Sequence, residues 1–179
     1  MFKRTGGVGD MRARDTFLIT KKTKAIVTNT SAYYRSVILE NKQKYYSHHS
    51  AEQIIDYNCT LFGESLAGRR TAIKNNFNIN NKIPIPVNPN QAVYLMPTSS
   101  TKSKDCVWLS YYHIDFYEQY NQKTYVTFMD GTGLYVNASA NSIDMQHKRT
   151  SQIIARQHRI LFFTRSFPQS FMSGGPFIH

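Results

Sequence analysis

Ser50-Ala51-Glu52-Gln53-Ile54-Ile55-Asp56-Tyr57-Asn58-Cys59-Thr60-Leu61-Phe62-Gly63 is the stretch on which the fold class turns. Ser50 followed three positions later by Gln53 has the form of a capping box, in which each side chain satisfies an orphan amide of the other residue. Ile54, Ile55, Cys59, Leu61 and Phe62 recur at approximately helical spacing, and Gly63 supplies a stop. The stretch therefore predicts one short amphipathic helix near 51–62. Upstream, the runs 17–20, 25–28, 33–39 and 44–47 are dominated by aromatic and β-branched residues and read as strands, with Glu40-Asn41-Lys42-Gln43 as a hairpin connection. A capped helix set among hairpin strands predicts an α+β class, a strand-rich single domain with antiparallel hairpins.

Downstream the pattern is uneven. Residues 75–90 carry seven asparagines and three prolines, Pro84, Pro86 and Pro89, and read as an irregular loop. Strands resume at 92–96, 107–112 and 124–129, and Asp130-Gly131 is a hairpin signal leading into 134–136. Segment 98–105, rich in Ser and Thr and carrying Lys102 and Lys104, reads as an exposed loop. Residues 142–160 predict a longer helix. Ile143, His147, Thr150, Ile154, Gln157 and Leu161 form one stripe, and Lys148, Arg149, Gln152, Arg156 and Arg159 share the adjacent face. No acidic residue follows Asp144, so this face is expected to stay unneutralised by its own helix.

The chain has 179 residues, 41% of them apolar, which suits one globular domain. The expected division is a basic N-terminal arm over 1–16, a single domain over 17–165 and a tail over 166–179. No run approaches the roughly 20 apolar residues that span a bilayer, and Met1-Phe2-Lys3-Arg4 lacks the apolar core of a secretory signal. A cytoplasmic protein is expected. Twenty-two basic residues against 11 acidic ones give a formal net charge of +11. An AT-rich genome would explain abundant lysine and asparagine but not the imbalance, since codons for Asp and Glu remain available; a polyanion is the commonest partner for such a surface.

Phe62-Gly63-Glu64-Ser65-Leu66-Ala67-Gly68-Arg69-Arg70 concentrates that chemistry. Gly68 allows close backbone approach where two guanidinium groups emerge, and guanidinium forks suit phosphates and base edges. With Cys59 before it and Pro89, Tyr94-Leu95-Met96-Pro97-Thr98, Cys106-Val107-Trp108-Leu109-Ser110, Val126-Thr127-Phe128, Asn141-Ser142 and Arg149-Thr150 after it, the chain resembles the ComK family of competence transcription factors over residues 54–160. The resemblance does not extend to the first forty residues or the last fifteen.

That resemblance implies an activator of DNA-uptake genes that binds paired A/T-rich boxes, largely through the minor groove, as a homo-oligomer on double-stranded DNA of the nucleoid. RNA polymerase is a further candidate partner. Family members carry a charged C-terminal extension through which an adaptor delivers them to a protease; this sequence runs out in Ser-Gly-Gly-Pro-Phe-Ile-His, so control by that route is not expected. The candidate DNA-binding residues are Arg69, Arg70, Lys74, Lys102, Lys104, Lys148, Arg149, Arg156 and Arg159. Arg69-Arg70, Lys102-Lys104 or Arg12-Arg14 would enter the groove, whose narrow A-tracts attract inserted cations, while the Lys148 to Arg159 face would hold flanking phosphates. Structural pairing of Arg69 and Arg70 with Glu64 or Asp56 is the competing reading.

Other chemistries fare worse. Gly63-Glu64-Ser65-Leu66-Ala67 imitates a nucleophile elbow, with Asp115 or Asp130 and His147 or His158 as nominal partners, but a capped helix precedes the serine where a buried strand is needed. Cys59 and Cys106 read as buried thiols; a zinc site built from them with His48 or His49 and His113 would lack the close-spaced ligand pairs such sites carry. No catalysis, metal or cofactor is expected. Tyr45-Tyr46, Tyr111-Tyr112 and Phe162-Phe163 could stack on unpaired bases, but adjacent strand aromatics face opposite ways, so half should be core; Trp108 is expected in the core. The alternative function is a basic adaptor or structural protein that docks acidic partners or anionic surfaces without sequence specificity.

Overall fold

The computed structural model describes residues 17–166; the predicted arm over 1–16 and the tail from 167 onward lie outside them. Strand β1 (Thr23–Thr28) is followed by the hairpin of β2 (Ser36–Glu40) and β3 (Gln43–Ser47), then by helices α1 (Ala51–Leu61) and α2 (Leu66–Phe77). Strands β4 (Ile85–Asn88), β5 (Val93–Pro97) and β6 (Val107–Ser110) complete a six-stranded antiparallel sheet in the order β3-β2-β1-β6-β5-β4. Strands β7 (Ile114–Tyr120), β8 (Lys123–Phe128) and β9 (Gly133–Val136) form a second antiparallel sheet, and α3 (Ala140–Ser166) follows. The α+β class read from the pattern is the one observed.

Alternation along the strands sorts the core into layers. Ile26, Ile38, Leu95 and Trp108 face α1 and α2, where they meet Ile54, Ile55, Cys59 and Leu66. Ala25, Met96, Val107 and Leu109 point to the opposite face and meet Val126, Phe128 and Val136 of the second sheet, with Ile143 of α3. A third cluster of Ile73, Ile79, Tyr94, Ile153 and Ile154 ties α2 and β5 to α3. Each fully buried large apolar side chain contributes about 1.5–3 kcal/mol, and Trp108, 1% exposed, is the largest of them.

The capping box forms as the sequence predicts. The Gln53 amide donates to Ser50 Oγ at 3.3 Å and the Ser50 amide to Gln53 Oε1 at 2.9 Å, worth about 1 kcal/mol. Gly63, at φ +88°, takes the chain out of the helix, a conformation that costs glycine nothing sterically. Leu61 and Phe62 stand exposed at the helix end, so the buried stripe of α1 ends at Cys59.

Several elements depart from the sequence reading. Residues 17–20 lie outside any strand; Asn58, fully buried on α1, holds them, accepting from the Ile19 amide through Oδ1 and donating Nδ2 to Phe17 O, both at 2.8 Å. Strand β4 lies within the stretch read as loop, and it tolerates Pro86 because it is the edge of the sheet, where pairing is needed on one side only. Neither α2 nor β7 is marked by local pattern. Helix α2 buries only Leu66, Arg69 and Ile73, so it carries no apolar stripe, and β7 is exposed along most of its length.

Lys24 braces the two sheets. Its side chain is 4% exposed, and Nζ donates to Asp130 Oδ2 at 2.8 Å and Thr132 Oγ1 at 2.6 Å in the β8–β9 turn, and to Asn41 O in the β2–β3 turn. Lys24 and Thr132 hold the Asp130 carboxyl well below the usual carboxylate range.

Candidate nucleic-acid interface

Helix α3 presents the face its spacing predicted. Ile143, Gln146, Thr150, Ile153 and Ile154 are buried, whereas Lys148, Gln152, Arg156 and Arg159 are exposed. The exposed cations are anchored to different degrees. Arg156 Nη1 donates to Asn76 O at 2.8 Å and its guanidinium lies 5.2 Å from the centre of the Phe77 ring, so it docks on the last turn of α2, where helix carbonyls carry partial negative charge. Arg149 Nη1 reaches Asn81 O at 3.4 Å, and Arg159 sits over the Phe163 ring at 5.7 Å. Neutral acceptors and ring faces leave these charges in place.

Lys148 corrects one expectation. Asp144, one turn earlier, meets its ammonium at 2.7 Å, so the helix does neutralise the first member of the row. Lys148 and Tyr117 together lower the Asp144 carboxyl. Among the described residues Arg149, Arg156 and Arg159 form no ion pair with a carboxylate.

The arginine pair is redistributed. Arg69 is 8% exposed: it falls on the same face of α2 as Leu66 and Ile73, and its Nη1 donates to Pro86 O at 2.5 Å. It is therefore a buried link between α2 and β4 and not a surface cation. Residue types alone place both arginines outward; the helix turns Arg69 inward. Arg70 pairs with Glu52 of α1, in place of Glu64 or Asp56. Lys74, one turn on, is exposed. Lys102 and Lys104 are exposed on the loop between β5 and β6, as expected. Arg35, just before β2, lines the same cleft as these two lysines; as one cation inside a run read as strand, it carries no signal in the sequence.

Among the described residues no group of three or more His, Cys, Asp or Glu side chains could hold a metal ion. Ser65 is the N-cap of α2, its Oγ accepting from the Gly68 amide at 3.1 Å, while Asp130 is held by Lys24 and His147 stacks on Tyr111 at 4.5 Å. A Cβ at Gly68 would lie 2.9 Å from the Glu64 side chain, which is the close approach this glycine permits. Cys59 and Cys106 are free and buried, and burial pushes the Cys59 thiol up to about 11. Of the paired aromatics, Tyr46, Tyr112, Phe162 and Phe163 are exposed and Tyr45 packs against the core.

These observations define a basic α+β domain of two antiparallel sheets with a cationic terminal helix. The family model described as ComK protein matches residues 14–160, and the chain belongs to that family. The match begins well before residue 54, where the recognisable motifs start. A protein of Bacillus subtilis (strain 168) described as a competence transcription factor is 34% identical over 117 residues, 65% of this chain and 61% of the relative's length. No solved structure matches.

Proposed function

We propose that this chain is a transcription activator of competence genes that binds double-stranded DNA at A/T-rich boxes, mainly through the minor groove, as a homo-oligomer. It acts in the cytoplasm on the nucleoid, with RNA polymerase as a further partner, and carries out no catalysis. The observation that supports this best is the row Arg149, Arg156 and Arg159 on α3, held by neutral acceptors and ring faces in a chain of net charge +11. A guanidinium has five donors; Arg156 commits one to Asn76 O, leaving the others for a phosphate. The competence relative supports the biological setting.

With Arg69 buried, the division of labour shifts. With Arg70 held by Glu52, Lys74 on the exposed side of α2 is the cation left to approach the groove, Lys102 and Lys104 meet the duplex from their loop, and the α3 row holds flanking phosphates. Fluorescence anisotropy on an A/T-boxed duplex and a G/C-rich control, across a salt series and with a minor-groove-blocking drug, tests this. An A/T preference that survives moderate salt and disappears with the drug is expected. The Arg156→Ala, Arg159→Ala pair should weaken binding to both duplexes and reduce the log–log salt slope by about 0.9 for each phosphate that these arginines neutralise. Equal, steeply salt-sensitive binding to both duplexes would replace the proposal with non-specific docking of acidic partners.

A further inference from the structure

A cleft of about 250 Å³ opens where β1 ends and α1 begins. Arg35 enters it from the start of β2, and Lys102 and Lys104 enter it from the loop between β5 and β6, so segments distant in sequence bring three cations to one depression. Trp108, 1% exposed, lines it too. Its one carboxylate, Glu52, is taken by Arg70. Among the described residues Lys102 and Lys104 have no ion pair, and Arg35 has only a 3.5 Å contact from Nη1 to the neutral Gln53 Oε1.

Three like charges around one depression repel one another, and side chains alone would relieve that by splaying into solvent. An oxyanion turns the same arrangement into an attraction. A guanidinium supplies a planar fork and the two ammonium groups supply adjustable point charges, the combination that surrounds a tetrahedral phosphate. A water occupies about 30 Å³ of liquid, so the volume accommodates one phosphate with part of its hydration shell.

We propose that Arg35, Lys102 and Lys104 together hold a single backbone phosphate of the bound DNA, and so fix the register in which the loop meets the duplex. The inference rests on the DNA-binding reading above and adds Arg35 to it. Its distinctive consequence is arithmetic: three cations sharing one phosphate release the counterions of one contact, not of three.

Trp108 is the only tryptophan of the chain and reports directly on this cleft. The full chain and an Arg35→Gln, Lys102→Gln, Lys104→Gln variant are titrated with inorganic phosphate, following Trp108 emission, and with the A/T-boxed duplex across a salt series. Inorganic phosphate should change the emission of the parent weakly and that of the variant not at all. The variant's salt slope for duplex binding should fall by about 0.9, with single substitutions less than additive. The substituted side chains are exposed, so an unchanged urea midpoint is expected and shows that folding is intact.

A slope change near three contacts would overturn the shared phosphate, and a variant that keeps the parent's slope would overturn the cleft as a DNA contact. A parent that responds to inorganic phosphate but binds no duplex would refute the DNA reading and assign the cleft to free phosphate. If the parent binds duplex and the Arg156→Ala, Arg159→Ala pair weakens it while this variant does not, only the cleft fails.

Discussion

Replacing Asp130 with Asn should destabilise the domain more than removing the lysine it neutralises. Lys24 lies almost wholly inside, with its ammonium on Asp130, Thr132 and Asn41. Breaking a buried ion pair by removing one partner costs about 3–5 kcal/mol, because the remaining charge stays desolvated. Asp130 is 32% exposed and two neutral acceptors remain for the ammonium, which brings the expected loss for Asp130→Asn to about 2 kcal/mol. In Lys24→Met the aliphatic volume is kept and the buried charge is gone, while Asp130 turns to water and keeps Thr132 as donor; about 1 kcal/mol is expected. The double variant should lie close to Lys24→Met, since neither orphan charge survives in it. With a urea slope of about 2 kcal/mol per molar, these losses appear as midpoint shifts of about 1 M and 0.5 M.

The pH dependence carries the same logic with a definite sign. Because the Asp130 carboxyl is lowered in the folded state, its contribution is present above the unfolded value near 3.9 and is lost as pH falls below it toward the folded value. Asp130→Asn should therefore flatten the acid limb of the stability curve below about pH 4 and leave the neutral and alkaline limbs parallel to the parent. If Lys24→Met proved the more damaging substitution, or if the two losses simply added, the account of a desolvated charge held in place by its partner would be wrong.

Two further predictions concern the core. Asn58→Leu keeps the volume but strands the Ile19 amide and the Phe17 carbonyl, and at about 1–3 kcal/mol for each orphaned group it should cost about 3 kcal/mol in urea unfolding; a loss below about 1 kcal/mol would mean those groups find water. A disulfide reagent at pH 8 should label neither Cys59 nor Cys106 in the folded protein, because both are buried and burial raises both thiols, and should label both in denaturant; rapid native labelling would contradict that packing.

Local pattern is what the sequence makes legible. Strands β1 to β3, β5, β6, β8 and β9 can be read because aromatic and β-branched residues concentrate in them, α1 because of its capping box, and α3 because its apolar and cationic positions repeat at helical spacing. What escapes depends on tertiary placement. Pro86 argues against a strand until the strand is known to lie at an edge, and Arg69 argues for surface chemistry until α2 is seen to carry it inward beside Leu66 and Ile73. Arg35 meets Lys102 and Lys104 only once the β5–β6 loop folds over the start of α1. Conversely, Asp144 is visible in the sequence as the last acid, and its i,i+4 spacing to Lys148 already allows the pairing observed.

The contact between Arg69 and Pro86 has a consequence for solubility. A strand at the margin of a sheet normally offers free amides and carbonyls to any passing extended chain, the template from which fibrils grow. At the middle of β4 proline has no amide hydrogen to offer, and its carbonyl already receives a guanidinium from α2. An incoming strand finds neither donor nor acceptor at that point, which blunts this rim of the larger sheet as a template.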